Sequence, residues 1–437
     1  VESGASFVDN GDYWRVTFDM NDTFSVKLEQ GSVATRHEVK SLFDIYGHPN
    51  VVGYVDPRAI NAANDTLRMQ GAASMAANMG VRVELLSKFS IDALVTLDSG
   101  VDLVGRGDGT GLIVDNAGVA CIQVSGDDSQ IKDFSIYGEA SGVIQVRGPS
   151  DTNVDGTKIS NILFESISES QKLNQCVWLW TSTNTSVERC RFKKTGYGVV
   201  GQFGYVANDV SVHRNTFTDM LLDAVEANSG GVVKSYRWSV TNNRYNGHLN
   251  FPFSGSEGRF VGLASVSNST ISDNIVVNAG GDSVIHIESD GSSTVIADNI
   301  FIDCFGSQGQ NGWIYLLNNT KDANITGNFF IYTDSSLGSQ SGISTSSGSY
   351  THKGSWSNNT FLDLSGSNQF IPFNAKTFVA GSKVVISGNV ADGVGNFVEM
   401  VSSRGLNITG NTVSNAVNGI FHNPGSSGGG SEDLIIN

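Results

Sequence analysis

Apolar and polar positions along this chain repeat one short phrase: a large apolar residue, two small or polar residues, an asparagine, then another apolar residue. It reads "VTNNRY" from Val240, "ISDNIV" from Ile271, "IADNIF" from Ile296 and "ITGNFF" from Ile325. With the asparagine as marker, the series is Asn215, Asn243, Asn274, Asn299, Asn328, Asn359, Asn389, Asn411 and Asn437, in steps of 28, 31, 25, 29, 31, 30, 22 and 26 residues. Three residues ahead of the markers stand Val212, Val240, Ile271, Ile296, Ile325, Trp356, Ile386, Ile408 and Leu434. Upstream the frame continues without the asparagine through Val101, Ile131, Ile159 and Val187. The markers define thirteen turns of one repeat.

A step this variable excludes rigid helical repeats, whose period is tightly held, and the segments between markers alternate apolar with polar over short stretches, as strands do. A short strand-turn unit cannot bury its apolar face alone. Stacked coils pair each backbone group with the coils above and below and enclose one continuous core. The predicted fold is an all-β, right-handed parallel β-helix, about 60 Å long at ~4.8 Å per coil. The asparagine is expected to sit at an inward corner in a left-handed backbone conformation, its amide bonded to the equivalent amide one coil away. Cys190, Ile162 and Phe134 take its place in earlier coils, so the ladder should begin at Asn215.

The start of a solenoid needs a cap, or its core lies open. "NDTLRMQGAASMAANMG" supplies a helix over 65–79, with Asn64 or Asp65 as N-cap, an apolar stripe through Ala72, Met75, Ala76 and Met79, and Gly80 as the stop. "VRVELLSKFSI" reads as the first strand of the solenoid. Residues 1–58, with "YWRVTFDM" and "FSVKLEQ", read as a small β-rich neck joined through the Pro49 to Pro57 region, and 59–437 as the β-helix domain. At the other end Leu434 to Asn437 starts a further coil after the "PGSSGGGS" loop at Pro424 to Ser431, and a following segment or partner is expected to cover it.

Composition narrows the class. Fifty-one glycines, 6 prolines and 16% charged residues in 437 suit a large strand-rich fold. The formal charge of −16 argues against nucleic acid or an anionic membrane surface as partner, and no apolar run is long enough to span a bilayer. Cys121, Cys176, Cys190 and Cys304 are widely spaced inside apolar phrases and read as buried thiols. No cofactor or metal signature is present; "SGDDS" at Ser125 to Ser129 reads as a plain turn.

Alternation along the later strand of each coil locates candidate chemistry. In "CVWLWT", Val177 and Leu179 face in and Trp178 and Trp180 out. "LLDAVEANSG" turns Val225 in and Glu226 and Asn228 out. "EGRFVGLAS" offers Glu257 and Arg259 near the strand start. "GGDSVIHIESD" turns Ile285 and Ile287 in, His286 and Glu288 out, and "NGWIYLLNN" turns Ile314 and Leu316 in, Trp313 and Tyr315 out. One face would then carry two aromatic pairs flanking carboxylates, a histidine and an arginine. Aromatic rings stack on sugar faces, and two carboxyl groups hydrolyse a glycosidic bond, one as acid and one activating water. Glu226 and Glu288, two coils and roughly 10 Å apart at the backbone, are the leading pair, with Asp223 and Asp282 as alternatives.

The helix 65–79, the phrase "GVDLVGRGDGTGLIV" from Gly100 and the "ITGN"-type ladder resemble those of the phage tailspike polysaccharide depolymerases, built on the pectate-lyase-like β-helix, from about Ile60 onward. "LLDAVEAN" is similar to the acidic strand phrases of their hydrolytic members, which points to Asp223 and Glu226. The resemblance implies a homotrimer on the virion tail that recognises and cleaves a bacterial surface polysaccharide, capsule or O-antigen. Two alternatives accompany hydrolysis. A lyase acting on a uronate polymer would use Arg259, His286 and Tyr315, and a non-enzymatic adhesin would only hold the glycan.

Overall fold

The computed structural model describes residues 14–18, 24–28, 54–98, 100–230, 234–248, 258–288, 291–306, 311–318, 320–346, 351–377, 381–402, 404–422 and 435–436. Pro49, Glu257, the loop from Pro424 to Ser431, Leu434 and Asn437 lie outside them. The chain divides into two compact units, Val1–Cys190 and Arg191–Asn437. Each is built from coils of right-handed parallel β-helix, because short apolar strands joined by polar turns find their partners only in the next coil. Among the described residues the one antiparallel pair is Trp14–Phe18 against Phe24–Leu28, the two strands expected in the neck. No helix among them is long and apolar enough to cross a membrane.

In the first unit the helix runs Asp65–Met79, with the Asn64 side chain accepting from Leu67 N–H and Gly80 left-handed at its end. Its buried stripe is Met69, Ala72, Ala73 and Ala76; Met75 and Met79 are only half-buried, so the stripe is rotated from the one expected. Thr66 and Gln70 bond Asp92 and Thr96 of the first coil. Tyr54–Val55 already pairs with Arg82–Glu84, so the solenoid's sheet begins ahead of its helix. The upstream frame also shifts: Leu103, not Val101, stands opposite Ile131, followed by Ile159 and Val187.

In the second unit Val212, Val240, Ile271, Ile296, Ile325, Trp356, Ile386 and Ile408 are in register, coil over coil, and all are buried. Ile436 stands opposite Ile408, two residues beyond the expected Leu434. The asparagine ladder runs unbroken from Asn215 to Asn411. The left-handed residue, however, is the one before each asparagine: Arg214, Asn242, Asp273, Asp298, Gly327, Asn358, Gly388 and Gly410. That residue makes the sharp bend, and the asparagine just after it is thereby aimed into the core. Beyond the ladder a second strand stacks Phe217, Tyr245, Val276, Phe301, Phe330 and Phe361 inward, with ring pairs such as Phe330–Phe361 at 4.6 Å. A third strand completes each coil and carries the candidate site.

Candidate active site

The third strands are Val225–Asn228, Val261–Ala264, Ile285–Glu288 and Gly312–Leu316. Val225, Val261, Ile285 and Ile314 lie over one another and fill the core, as the alternation required. The next position forms an outward column of Glu226, Gly262, His286 and Tyr315. Two residues along, Asn228, Ala264 and Glu288 form a second column. Glu226 and Glu288 are therefore two coils apart, as expected, but on adjacent columns. Two ~4.8 Å steps across and two ~3.3 Å rises along put their backbones about 12 Å apart.

Trp313 is not on this face. It is fully buried and packs its indole 4.9 Å from the Phe370 ring, so its expected role in stacking a sugar is withdrawn. The cause is the corner. Ala224, Phe260, Val284 and Trp313 each stand just before the inward residues Val225, Val261, Ile285 and Ile314 and are buried as well, so two consecutive residues face the core where the chain bends. Strict alternation fails there.

Just before these strands Asp223, Arg259 and Asp282 come together. Arg259 donates from Nε and Nη2 to the two oxygens of Asp282, both at 3.0 Å, and from Nη1 to Asp223 Oδ2 at 3.2 Å. Its backbone N–H donates to Asp223 Oδ1 at 2.7 Å. The Asp223 side chain is 1% exposed and that of Arg259 12%. Burial pushes the Asp223 carboxyl up, with Arg259 pulling the other way. Burial alone would lower the Arg259 guanidinium, but Asp223 and Asp282 hold it above its usual value. A buried cation bridging two carboxylates is rigid, because removing either partner strands a charge.

His286 and Glu288 stand beside this bridge. Burial pushes His286 down to about 4, helped by Arg259 and opposed by Asp282, so the ring is neutral at pH 7. Its Nε2 has no hydrogen-bond partner and lies 3.4 Å from Glu288 Oε2. Its ring is 5.4 Å from that of Tyr315, itself nearly buried. Burial raises the Glu288 carboxyl, with Arg259 opposing and Asp282 adding. Glu226 and Asn228 are half-buried. Gly262, unmarked in the sequence reading, lies between Glu226 and His286; a Cβ there would sit 3.8 Å from Glu226 Cγ and 3.6 Å from Asp223 Oδ2. Its missing side chain leaves a notch, and the only signal for it was a glycine where neighbouring coils carry large residues.

Trp178 and Trp180 belong to the first unit and are half-buried, with Val177 and Leu179 inward as expected. Trp178 lies against the backbone of Gly142, where a Cβ would come within 2.9 Å of its ring. The Arg147 guanidinium covers one face of Trp180 at 3.8 Å and is tied to Asp151. All four cysteines are buried thiols outside any disulfide, and burial pushes Cys121, Cys190 and Cys304 up to about 12.

The fold is a right-handed parallel β-helix. No protein-family model matches the chain, and no curated protein sequence matches it. Solved structures match in shape. PfbA, a surface adhesin of Streptococcus pneumoniae, gives a TM-score of 0.56 at 12% identity over 84% of this chain and 91% of that one. ORF18 of Geobacillus virus E2 gives 0.52 at 12% identity over 78% of this chain and 65% of that one, so the chain spans less than two thirds of that viral protein. A DFA-IIIase variant from Arthrobacter chlorophenolicus A6, in complex with DFA-III, gives 0.51 at 12% identity over 77% and 93%. At such identity the likeness is one of fold.

Proposed function

We propose that this chain binds and hydrolyses a bacterial surface polysaccharide, in the manner of a tailspike depolymerase acting from the virion tail. The observation that carries this reading is the group of desolvated ionisable side chains on the outer side of the third-strand sheet. Asp223, Arg259, His286 and Glu288 are buried or half-buried where a structural solenoid would place solvated polar residues. Perturbed groups gathered at one place point to chemistry more than to stability.

In this mechanism Glu288, whose carboxyl burial pushes toward the protonated form, donates its proton to the glycosidic oxygen as the bond breaks. Glu226, beside the Gly262 notch, takes a proton from the water that attacks the opposite face of the sugar. A backbone separation of about 12 Å, shortened by the lean of both side chains, suits the ~6.5–9.5 Å carboxyl spacing of an inverting hydrolase. The Arg259 bridge fixes Asp223 and Asp282 against the strand starts, and neutral His286, its Nε2 closed to solvent, packs between Glu288 and Tyr315 and desolvates the site. Hydrolysis is favoured over β-elimination because Nε, Nη1 and Nη2 of Arg259 are all engaged by the protein's own carboxylates, which leaves the guanidinium poorly placed to neutralise a uronate.

Digestion of a panel of capsules and O-antigens, with mass analysis of products, tests the reading. Products whose masses sum to that of the intact glycan plus one water, lost in Glu288→Gln and Glu226→Gln, are expected. Unsaturated products absorbing in the ultraviolet would establish a lyase, and glycan binding without shortening would establish an adhesin.

A further inference from the structure

One aromatic ring close to the candidate site takes no part in the core and none in the mechanism above. In the coil before Glu226 the third strand is Tyr197–Gly201, whose Val200 and Gly201 stand opposite Glu226 and Ala227. The next residue, Gln202, is thereby placed beside Asn228. The chain then turns: Tyr205 N–H donates to the Gln202 carbonyl at 3.1 Å, and Gly204 takes a φ of +83°, which glycine favours at the third position of a tight turn. Phe203 stands at the tip of this turn. It is 63% exposed, more than any other large apolar side chain among the described residues.

The ring is exposed but held. A Cβ on Gly230, just past Asn228 in the next coil, would come within 3.0 Å of both Cε2 and Cζ of Phe203, so the far edge of the ring rests on the Gly230 backbone. From there toward Glu288 the outward positions of the intervening coil are Gly262 and Ala264, whose small size keeps the surface low between the ring and the carboxyl. Two ~4.8 Å coil steps and two ~3.3 Å strand rises put the Gly230 backbone about 12 Å from that of Glu288, beyond the sugar being cleaved but within reach of its neighbours in a polymer.

We propose that Phe203 is the stacking platform for a sugar residue remote from the scissile bond, and that the chain therefore selects polymer over short oligosaccharide. The inference rests on the glycan reading of the site given above. A sugar ring offers an apolar face and a rim of hydroxyls; Phe203 matches the first, and the half-buried amides of Gln202 and Asn228 match the second. A protein partner fits less well, since one ring is far below the area that a specific interface buries. Packing does not account for the ring, because a side chain this exposed removes little apolar surface from water. Its seat on Gly230 means that little freedom is lost when a sugar stacks on it. Binding energy gained there is forfeited by any substrate too short to reach it.

The test uses the polysaccharide of the panel above that the wild type cleaves or binds, together with its size-fractionated partial acid hydrolysate. Phe203→Ala is expected to raise KM for the polymer about tenfold with kcat nearly unchanged, and to leave the shortest cleaved oligosaccharides within about twofold of the wild type. Its urea midpoint should not move, since the side chain is mostly in solvent. Phe203→Trp, which keeps a flat ring, is expected to restore polymer cleavage. Leu364→Ala, which removes another exposed apolar side chain several coils away, is expected to behave as the wild type. Calorimetry separates the platform from the chemistry: Phe203→Ala in a Glu288→Gln background is expected to bind the polymer about tenfold more weakly than Glu288→Gln alone. If the wild type binds without cleaving, the hydrolysis reading falls and the calorimetric comparison still decides the platform. Unchanged KM and affinity in Phe203→Ala, an equal loss on the shortest oligosaccharides, or a wild type that neither binds nor cleaves any polysaccharide of the panel would each overturn the proposal.

Discussion

Asn299 is the sharpest place to test the account of what holds the coils together. Its Oδ1 accepts from the backbone N–H of Asn274 at 3.1 Å and from Asn274 Nδ2 at 2.8 Å. Its Nδ2 donates to the Ile271 carbonyl and to Asn328 Oδ1, both at 2.9 Å. All four hydrogen-bonding capacities of the side chain are used, and the residue is fully buried. In Asn299→Ala, Asn328 Oδ1 keeps the bond from the backbone N–H of residue 299, so that acceptor is spared. The Asn274 backbone N–H and one Nδ2 hydrogen lose their acceptor in a site closed to water. Two orphaned buried donors at about 1–3 kcal/mol each, with a small cavity added, give a loss of about 3–4 kcal/mol.

Urea unfolding followed by circular dichroism reads the loss, and amide exchange at Ile271 to Ile275 localises it to the ladder. Asn299→Asp discriminates further. It keeps the acceptor for Asn274 but turns a second oxygen toward the Ile271 carbonyl and Asn328 Oδ1, so it should be severely destabilised at pH 7 and partly recovered when acid protonates it. A cost below about 1 kcal/mol for Asn299→Ala would refute the claim that the ladder amides, rather than the apolar columns alone, fix the stacking.

Three further outcomes are expected. Glu288→Gln should lower glycan cleavage by about 10²–10⁴-fold while glycan binding, read by calorimetry, is retained. His286 has a folded pKa of about 4 against 6.5 unfolded, so its stabilising contribution is complete above pH 6.5 and is lost as pH falls toward 4; the wild type should lose about 3 kcal/mol across that window relative to His286→Asn. Arg259→Met strands Asp223 in the protein interior and should cost about 3–5 kcal/mol at pH 7, and less at pH 4, where the carboxyl of Asp223, already raised by burial, takes up a proton; denaturant titrations at the two pH values check the difference.

Much of the scaffold was legible because its signals are local. The helix 65–79 announced itself by an N-cap and a C-terminal glycine, and both ends fall where those residues put them. The ladder was legible because a buried asparagine at one corner of every coil must recur in the sequence. What was not legible depended on where the chain bends. Alternation placed Glu226, His286 and Glu288 on the outer side, yet it misplaced Trp313, since a corner turns two successive residues inward. The left-handed residue was put one position late for a related reason: asparagine tolerates that conformation, but Asp273, Asp298 and Gly327 tolerate it as well. The Arg259 bridge was legible only as nearby residues, because hydrogen bonds between coils 23 and 36 residues apart have no periodic trace.

Three sheets of one backbone geometry carry different outward chemistries in the second unit: mostly small polar side chains with Val295 and Val385 among them on the first, mostly apolar side chains from Ile275 to Leu362 on the second, and ionisable groups on the third. Since the inward positions alone secure the coil, each outward column is free to take on a separate task, and a change confined to one column should leave the others intact. The buried groups are the exception to that freedom. Asp223 and Arg259 lie at strand starts that also set the corner, so the proposed hydrolysis and the coil geometry share residues there, and substitutions at the bridge should lower stability and cleavage together. Glu288 and Glu226 sit mid-strand on outward columns, where cleavage can be lost while the coil remains folded.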